Sequence, residues 1–162
     1  MGMRRVRGFT LIEVMVVLVI VGILATMVTL SLTPDTHRVM GDEALRLSRV
    51  IEQAADAAEM GDPLVLVWTR EGYGFRRQAG DGRFVDTGED FFAERRWPQG
   101  IGSGRARIEG QDASPGEVLP LWQDGRASEL VLPLLSDGQR LEVWLSPLGF
   151  ARVEDARAGE QP

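Results

Sequence analysis

The chain has 162 residues, 24 acids against 18 basic residues that are all Arg, one histidine and no cysteine, for a net charge of -6 and a pI near 4.9. Lacking Lys, it has no P-loop or Schiff-base lysine; lacking Cys, it has no disulfide framework, thiol nucleophile or thiolate metal site. The single His37 excludes a histidine-rich zinc site, and the acidic balance argues against a broad nucleic-acid surface.

Charge divides the sequence into three. Residues 1–8 hold Arg4, Arg5 and Arg7 and no acid. From Phe9 to Leu32 the only charged residue is Glu13. Beyond Leu32 fifteen Arg face twenty-three acids, a balance of -8. A basic tip, an apolar rod and an acidic body follow in that order.

The apolar stretch of 24 residues would span roughly 36 Å as a helix, enough for a hydrocarbon core of roughly 30 Å. Its β-branched run Val16–Val21 would suit a buried strand, but the length favours a membrane helix. The flanking arginines put its N-terminal end on the cytoplasmic side, and the acidic body on the far side. A secretory signal peptide fits poorly, because the stretch exceeds the usual apolar core and no Ala-x-Ala site follows it. A plain signal anchor fits better. Neither accounts for Glu13, a carboxylate costing about 2.5–3.5 kcal/mol in mid-membrane, with no cation in the segment to pair with. It is either solvated by headgroups or satisfied by a partner from outside.

The run Arg7-Gly8-Phe9-Thr10-Leu11-Ile12-Glu13-Val14 resembles the N-terminal signal of type IV pilins and type II secretion pseudopilins. The resemblance is strongest over residues 4–33. It implies cleavage between Gly8 and Phe9 by a prepilin peptidase, methylation of the new Phe9 amine, and retention of the apolar helix. Arg4, Arg5 and Arg7 become the leader's basic residues. It further implies that Glu13 pairs with the processed N-terminus of a neighbouring subunit as a filament assembles.

After Pro34 an amphipathic helix is predicted over 35–60. Met40, Ala44, Leu47, Ile51, Ala54, Ala55 and Ala58 form one face; Asp42, Glu43, Arg46, Arg49, Glu52, Asp56 and Glu59 form the other. The alanine-rich stripe is too short for a coiled coil and reads as core packing. Gly61-Asp62-Pro63 ends the helix, and Pro34 and Gly41 are places for a bend or local melting. Period-two signals follow: a strand at 64–69 apolar on both faces, a hairpin partner at 73–78, and strands near 105–109, 129–135, 141–146 and 150–154. Turns fall at 136–138 and 147–149, and Pro133 marks an edge strand or a bulge. Leu141, Val143 and Leu145 share one face. Residues 83–104 and 110–128 read as long loops with Phe91, Phe92, Trp97 and Trp122, whose rings either close the core or meet a partner. Asp81, Asp86, Glu89 and Asp90 are weak calcium candidates, without the spacing of an EF-hand.

The expected fold class is α+β: a long N-terminal helix, transmembrane in its first half and amphipathic in its second, packed on antiparallel sheets. The expected divisions are a cleaved leader 1–8, an apolar helix 9–33, an amphipathic helix 34–62, a β head 63–155 and a flexible tail 156–162. The helix followed by Gly61-Asp62-Pro63-Leu64-Val65-Leu66-Val67-Trp68, by Gly72-Tyr73-Gly74-Phe75 and by Trp97-Pro98-Gln99-Gly100-Ile101 resembles the H-type minor pseudopilins. That resemblance implies a non-enzymatic subunit in the inner membrane. Its body would be periplasmic and would join a pseudopilus tip complex to the major-pseudopilin shaft. Implied partners are other minor pseudopilins, the major pseudopilin and the prepilin peptidase; no cofactor and no nucleic acid are expected. Two alternatives stay open. One is a minor pilin of a type IV pilus; the other is a signal-anchored periplasmic enzyme using carboxylates such as Glu71 and Asp81.

Overall fold

The computed structural model describes residues 10–31, 36–114 and 116–156, with side chains throughout except at 25–31. The chain divides into two compact units, residues 1–35 and 36–162. The first holds α1 (Leu11–Ser31). The second opens with α2 (Thr36–Glu59) and continues into strands β1 (Leu64–Trp68), β2 (Gly72–Gln78), β3 (Phe84–Asp86), β4 (Arg95–Arg96), β5 (Gly102–Ser103), β6 (Arg107–Ile108), β7 (Gln111–Asp112), β8 (Val118–Pro120), β9 (Trp122–Gln123), β10 (Arg126–Ala127), β11 (Leu130–Ser136), β12 (Gln139–Leu145) and β13 (Ala151–Asp155). Residues 1–9, among them Gly8, Phe9 and the three leader arginines, lie outside the described residues, as do Pro34 and the tail from 157.

α2 forms where three- and four-residue spacing lines up Met40, Ala44, Leu47, Ile51, Ala54, Ala55 and Ala58, all at most 8% exposed. It runs unbroken through Gly41, which was expected as a bend: one glycine costs about 1 kcal/mol of propensity, less than the buried face returns. Its apolar face packs on β1, β11, β12 and β13. It therefore touches both main sheets.

The smaller sheet has the order β3-β2-β1-β8, with β4 also on β2; the larger has the order β13-β12-β11-β6-β7, with β5 also on β11. Every pairing is antiparallel. In the larger sheet Leu130, Leu132, Leu134, Leu141, Val143 and Leu145 alternate onto the inner face and are buried. Register at the sharpest reversal comes from the turn: Asp137 and Gly138 have φ of 43° and 79° between the paired Ser136 and Gln139. Two left-handed residues make the two-residue hairpin that Asp-Gly favours.

The two segments expected as loops, 83–104 and 110–128, carry short strands instead. Val118–Pro120 pairs with β1 and supplies Leu119 to the core; β4 and β5 clip the other segment to β2 and β11. These ladders are two or three residues long, too short for a periodicity signal. Pro133 is not on an edge: it faces Glu142 on one side, while its carbonyl accepts from the Gly104 N–H at 2.8 Å on the other. The register slips by one between Leu134↔Ser103 and Val131↔Arg107, so a bulge opposite Pro133 absorbs its missing donor.

Aromatic rings close the smaller sheet. Trp97 lies 5.1 Å from both Trp68 and Tyr73, and Phe92 lies 5.5 Å from Phe75; Phe91 stays 41% exposed. Three of the expected loop aromatics thus reduce to two core rings and one surface ring. The seating depends on Gly72, paired with Arg96: a Cβ there would stand 2.0 Å from the Arg95 carbonyl oxygen. Gly72→Ala therefore has to push β4 off β2 and unseat Trp97. The expected cost is about 3 kcal/mol, at the upper end for overpacking. Thermal unfolding of the full chain in detergent reads it; an unchanged midpoint would contradict the close approach.

Candidate functional site

α1 offers the site singled out by the sequence. Its described side chains, as far as residue 24, are exposed, with Leu11 at 79% and Ile12 at 70%. A helix that is apolar on all sides needs cover from lipid or from other protein. Among the described residues no helix is long and apolar enough to cross a membrane, so the transmembrane span expected over 9–33 is not seen as such. Glu13 sits in the first turn, where the N–H groups of Glu13 and Val14 reach the Thr10 carbonyl at 3.1 and 3.3 Å. The helix dipole favours an acid there by about 0.3–1 kcal/mol, less than burial in lipid would cost. Residues 10–31 hold no basic side chain, so any full counter-charge comes from elsewhere.

In the second unit the charged groups are used within the fold. Glu43, expected on the solvent face of α2, is instead buried at 4% exposure. Arg95 of β4 donates to it twice, Nε to Oε1 at 2.5 Å and Nη2 to Oε2 at 2.7 Å. The Tyr73 hydroxyl donates to Oε1 at 3.5 Å. A bidentate guanidinium matches both carboxylate oxygens, which is what makes a buried acid tolerable. The pair raises the Arg95 pKa, chiefly through the hydrogen bond to Glu43. Burial, and then the Glu43 charge, push the Tyr73 hydroxyl up to about 12. The sequence showed Glu43 only as one more acid on a polar stripe, because its partner is 52 residues away. Trp97 Nε1, next to this cluster, is a buried donor without a hydrogen-bond partner.

A second arginine ties the end of α2 to the smaller sheet. Arg77 donates Nε to Asp62 Oδ1 at 2.5 Å and Nη2 to Asp62 Oδ2 at 2.8 Å, and it reaches the Thr87 carbonyl at 3.2 Å and Glu89 at 3.4 Å. Its hydrogen bond holds the Asp62 carboxyl below the usual range. The same chemistry engages three of the four calcium candidates. Asp81 pairs with Arg83, Asp86 with Arg76 and Glu89 with Arg77, while Asp90 opens a 3-10 turn that ends at the buried Phe92. Among the described residues no group of three or more His, Asp or Glu side chains is placed to hold a metal ion. Nearby arginines satisfy these carboxylates singly, and a cation would have to displace them.

Residues 3–29 match the family described as the prokaryotic N-terminal methylation motif. No curated protein matches the chain. Among solved structures, the chain is similar to that of the minor pseudopilin EpsH from the type 2 secretion system of Vibrio cholerae. The TM-score is 0.54 and the identity 12%, over 74% of this chain and 98% of that one. It is likewise similar to the solution structure of GspH from E. coli, with a TM-score of 0.56 and 18% identity over 80% and 97%. At such identities the likeness is one of fold. It places the chain in the α+β, pilin-like class expected from its sequence.

Tyr73 gives the buried cluster a direct readout, because it is the only tyrosine. Its pKa is raised, so the folded state keeps the neutral hydroxyl while the unfolded chain ionises near 10. The stability tied to this group is complete below pH 10 and falls as pH rises from about 10 to about 12. Tyrosinate absorbance should show one midpoint near 12 in the folded chain, moved downward by Glu43→Gln but not to 10, since burial is the larger cause. A midpoint at 10 in the folded protein would contradict the buried cluster.

Proposed function

We propose that the chain is a minor pseudopilin of the type II secretion system, of the H type. In this role it is a structural subunit, not an enzyme, and it joins a pseudopilus tip complex to the major-pseudopilin shaft during export of folded proteins. The observation that carries the reading is a conjunction. An N-terminal methylation motif at residues 3–29 precedes a head whose fold is similar to EpsH over 98% of that chain. Either alone is weaker: the motif is shared by type IV pilins, and the fold without the motif says nothing about processing.

Under this reading the prepilin peptidase cuts between Gly8 and Phe9 on the cytoplasmic side of the inner membrane. Phe9 is then methylated, and the apolar helix anchors the chain until assembly. The head lies in the periplasm, on the side away from Arg4, Arg5 and Arg7. Other minor pseudopilins and the major pseudopilin are its partners. In the filament the apolar sides of α1 exchange lipid for neighbouring helices, and Glu13 meets the amine of a neighbour's Phe9. An acid with no cation in its own segment is then satisfied only in the assembled state, which makes docking selective.

Two measurements test this. Mass spectrometry of the mature protein should find an N-terminal methylated Phe9; an N-terminus at Met1, or beyond Leu32, would defeat the reading. Complementation of a deletion strain should then separate anchoring from assembly. Glu13→Val removes a polar cost, so insertion and processing are expected to survive. Incorporation and secretion should fail, because an unpaired buried amine is left in the neighbour at about 3–5 kcal/mol. Glu13→Gln should fall between. Normal secretion and normal cross-links to neighbours with Glu13→Val would refute the pairing.

A further inference from the structure

The outermost strand of the larger sheet, β13, has one edge that pairs with no other strand among the described residues. The Ser146 N–H donates to the Phe150 carbonyl at 2.9 Å, and the Ala156 N–H to the Arg140 carbonyl at 3.1 Å. These two bonds fix the parity of the ladder: Phe150, Arg152, Glu154 and Ala156 turn their backbone groups toward β12, while Ala151, Val153 and Asp155 turn theirs outward. Glu52 Oε1 accepts the outward Ala151 N–H at 2.7 Å. At Val153 the outward donor and acceptor meet no backbone partner among the described residues. An edge of this kind is a template for another strand.

We propose that this edge pairs with the same edge of a second copy of the chain, antiparallel about a two-fold axis at Val153. The argument is charge complementarity. In that register Arg152 of each copy faces Glu154 of the other, on the solvent face of the joined sheets. Within one copy Arg152 Nε already contacts Glu154 Oε1 at 2.8 Å, and its guanidinium lies 5.5 Å from the Trp144 ring centre. Two such pairs brought together make four charges of alternating sign. Shifting the register by one pair sets Arg152 against Arg152 or Glu154 against Glu154; moving the axis to Asp155 sets Asp against Asp. Only the Val153 register satisfies both charges. Size is complementary too: Phe150, 70% exposed, faces the small Ala156 of the other copy. The 340 Å³ cleft lined by Trp144, Pro147 and Phe150 opens at the same end of the strand. The pairing is symmetric, as the interface of a closed two-fold dimer must be. It does not rest on the functional assignment above.

The test uses the full chain in detergent micelles and reads mass by sedimentation velocity across a concentration series. The wild type should pass from monomer to dimer. Arg152→Glu places Glu opposite Glu twice, and Glu154→Arg places Arg opposite Arg twice. Each alone should raise the dimer dissociation constant about tenfold or more. Mixed in equal amounts, the two variants regain opposite charges at both pairs, so a heterodimer should return at wild-type strength. That recovery also shows that both variants are folded. A wild type that stays monomeric overturns the proposal, with the alternating charges then serving to guard the edge. Dimers that persist in both single variants overturn it as well and place association on α1. So does a mixture that stays monomeric.

Discussion

The apolar face of α2 is the surface on which the head depends. One helix covers the inner faces of strands from both main sheets, and neither sheet could stay dry without it. Four of its buried residues are alanines, which let the backbone approach the strands closely; Met40, Leu47 and Ile51 fill what remains. Large-to-small changes at those three would leave cavities on the order of 2–5 kcal/mol. The short strands of the two connecting segments are consequences of this wall. With Leu66 and Phe75 fixed against the core, Leu119 and Phe92 bury apolar surface only if their segments are clipped alongside, and ladders of two and three residues do the clipping.

Arginine makes every ion pair recorded among the described residues. The guanidinium offers five donors in a fixed plane and remains charged, so one side chain can hold a carboxylate and a distant carbonyl together, as Arg77 does for Asp62 and Thr87. Arg95 instead spends both of its bonds on the two oxygens of Glu43, which would otherwise be a buried, unpaired charge. Such a pair adds little net stability over an apolar substitute, but it defines which residue of β4 meets which turn of α2. Among the described residues no three acids come together at one point, and Asp81, Asp86 and Glu89 each pair with a different arginine.

α1 answers to a different solvent. Its described sides are apolar with no stripe to distinguish them, and the carboxylate near its start is the one charge in its sequence. In the proposed role, cover is general and the charge is specific, a division of labour suited to a subunit that leaves lipid for a filament. The head contributes the complementary part, a rigid fold whose surface differs from one side to another.

How much of this was legible in the sequence follows from range. The stripe of α2 and the strands expected at 64–69, 73–78, 129–135 and 141–146 are local patterns, and α2, β1, β2, β11 and β12 lie within two residues of them. Each repeats with the period of its own element, so each is legible as helix or strand without its neighbours. The α+β class follows from their order. What could not be read depends on residues far apart. Glu43 lies on the helix position of a solvent acid, and only Arg95, 52 residues on, makes it an interior one. Asp81, Asp86 and Glu89 cluster in sequence, yet the strands turn each toward a different arginine. Pro133 reads as an edge or a bulge residue from its own strand, and only the pairing of Gly104 opposite it decides for the bulge. Local periodicity determined the elements, because backbone hydrogen bonding and amphipathicity act over a few residues. Tertiary structure decided which charges are buried, which loops are strands and which edge is free, because those depend on what arrives from the other end of the chain.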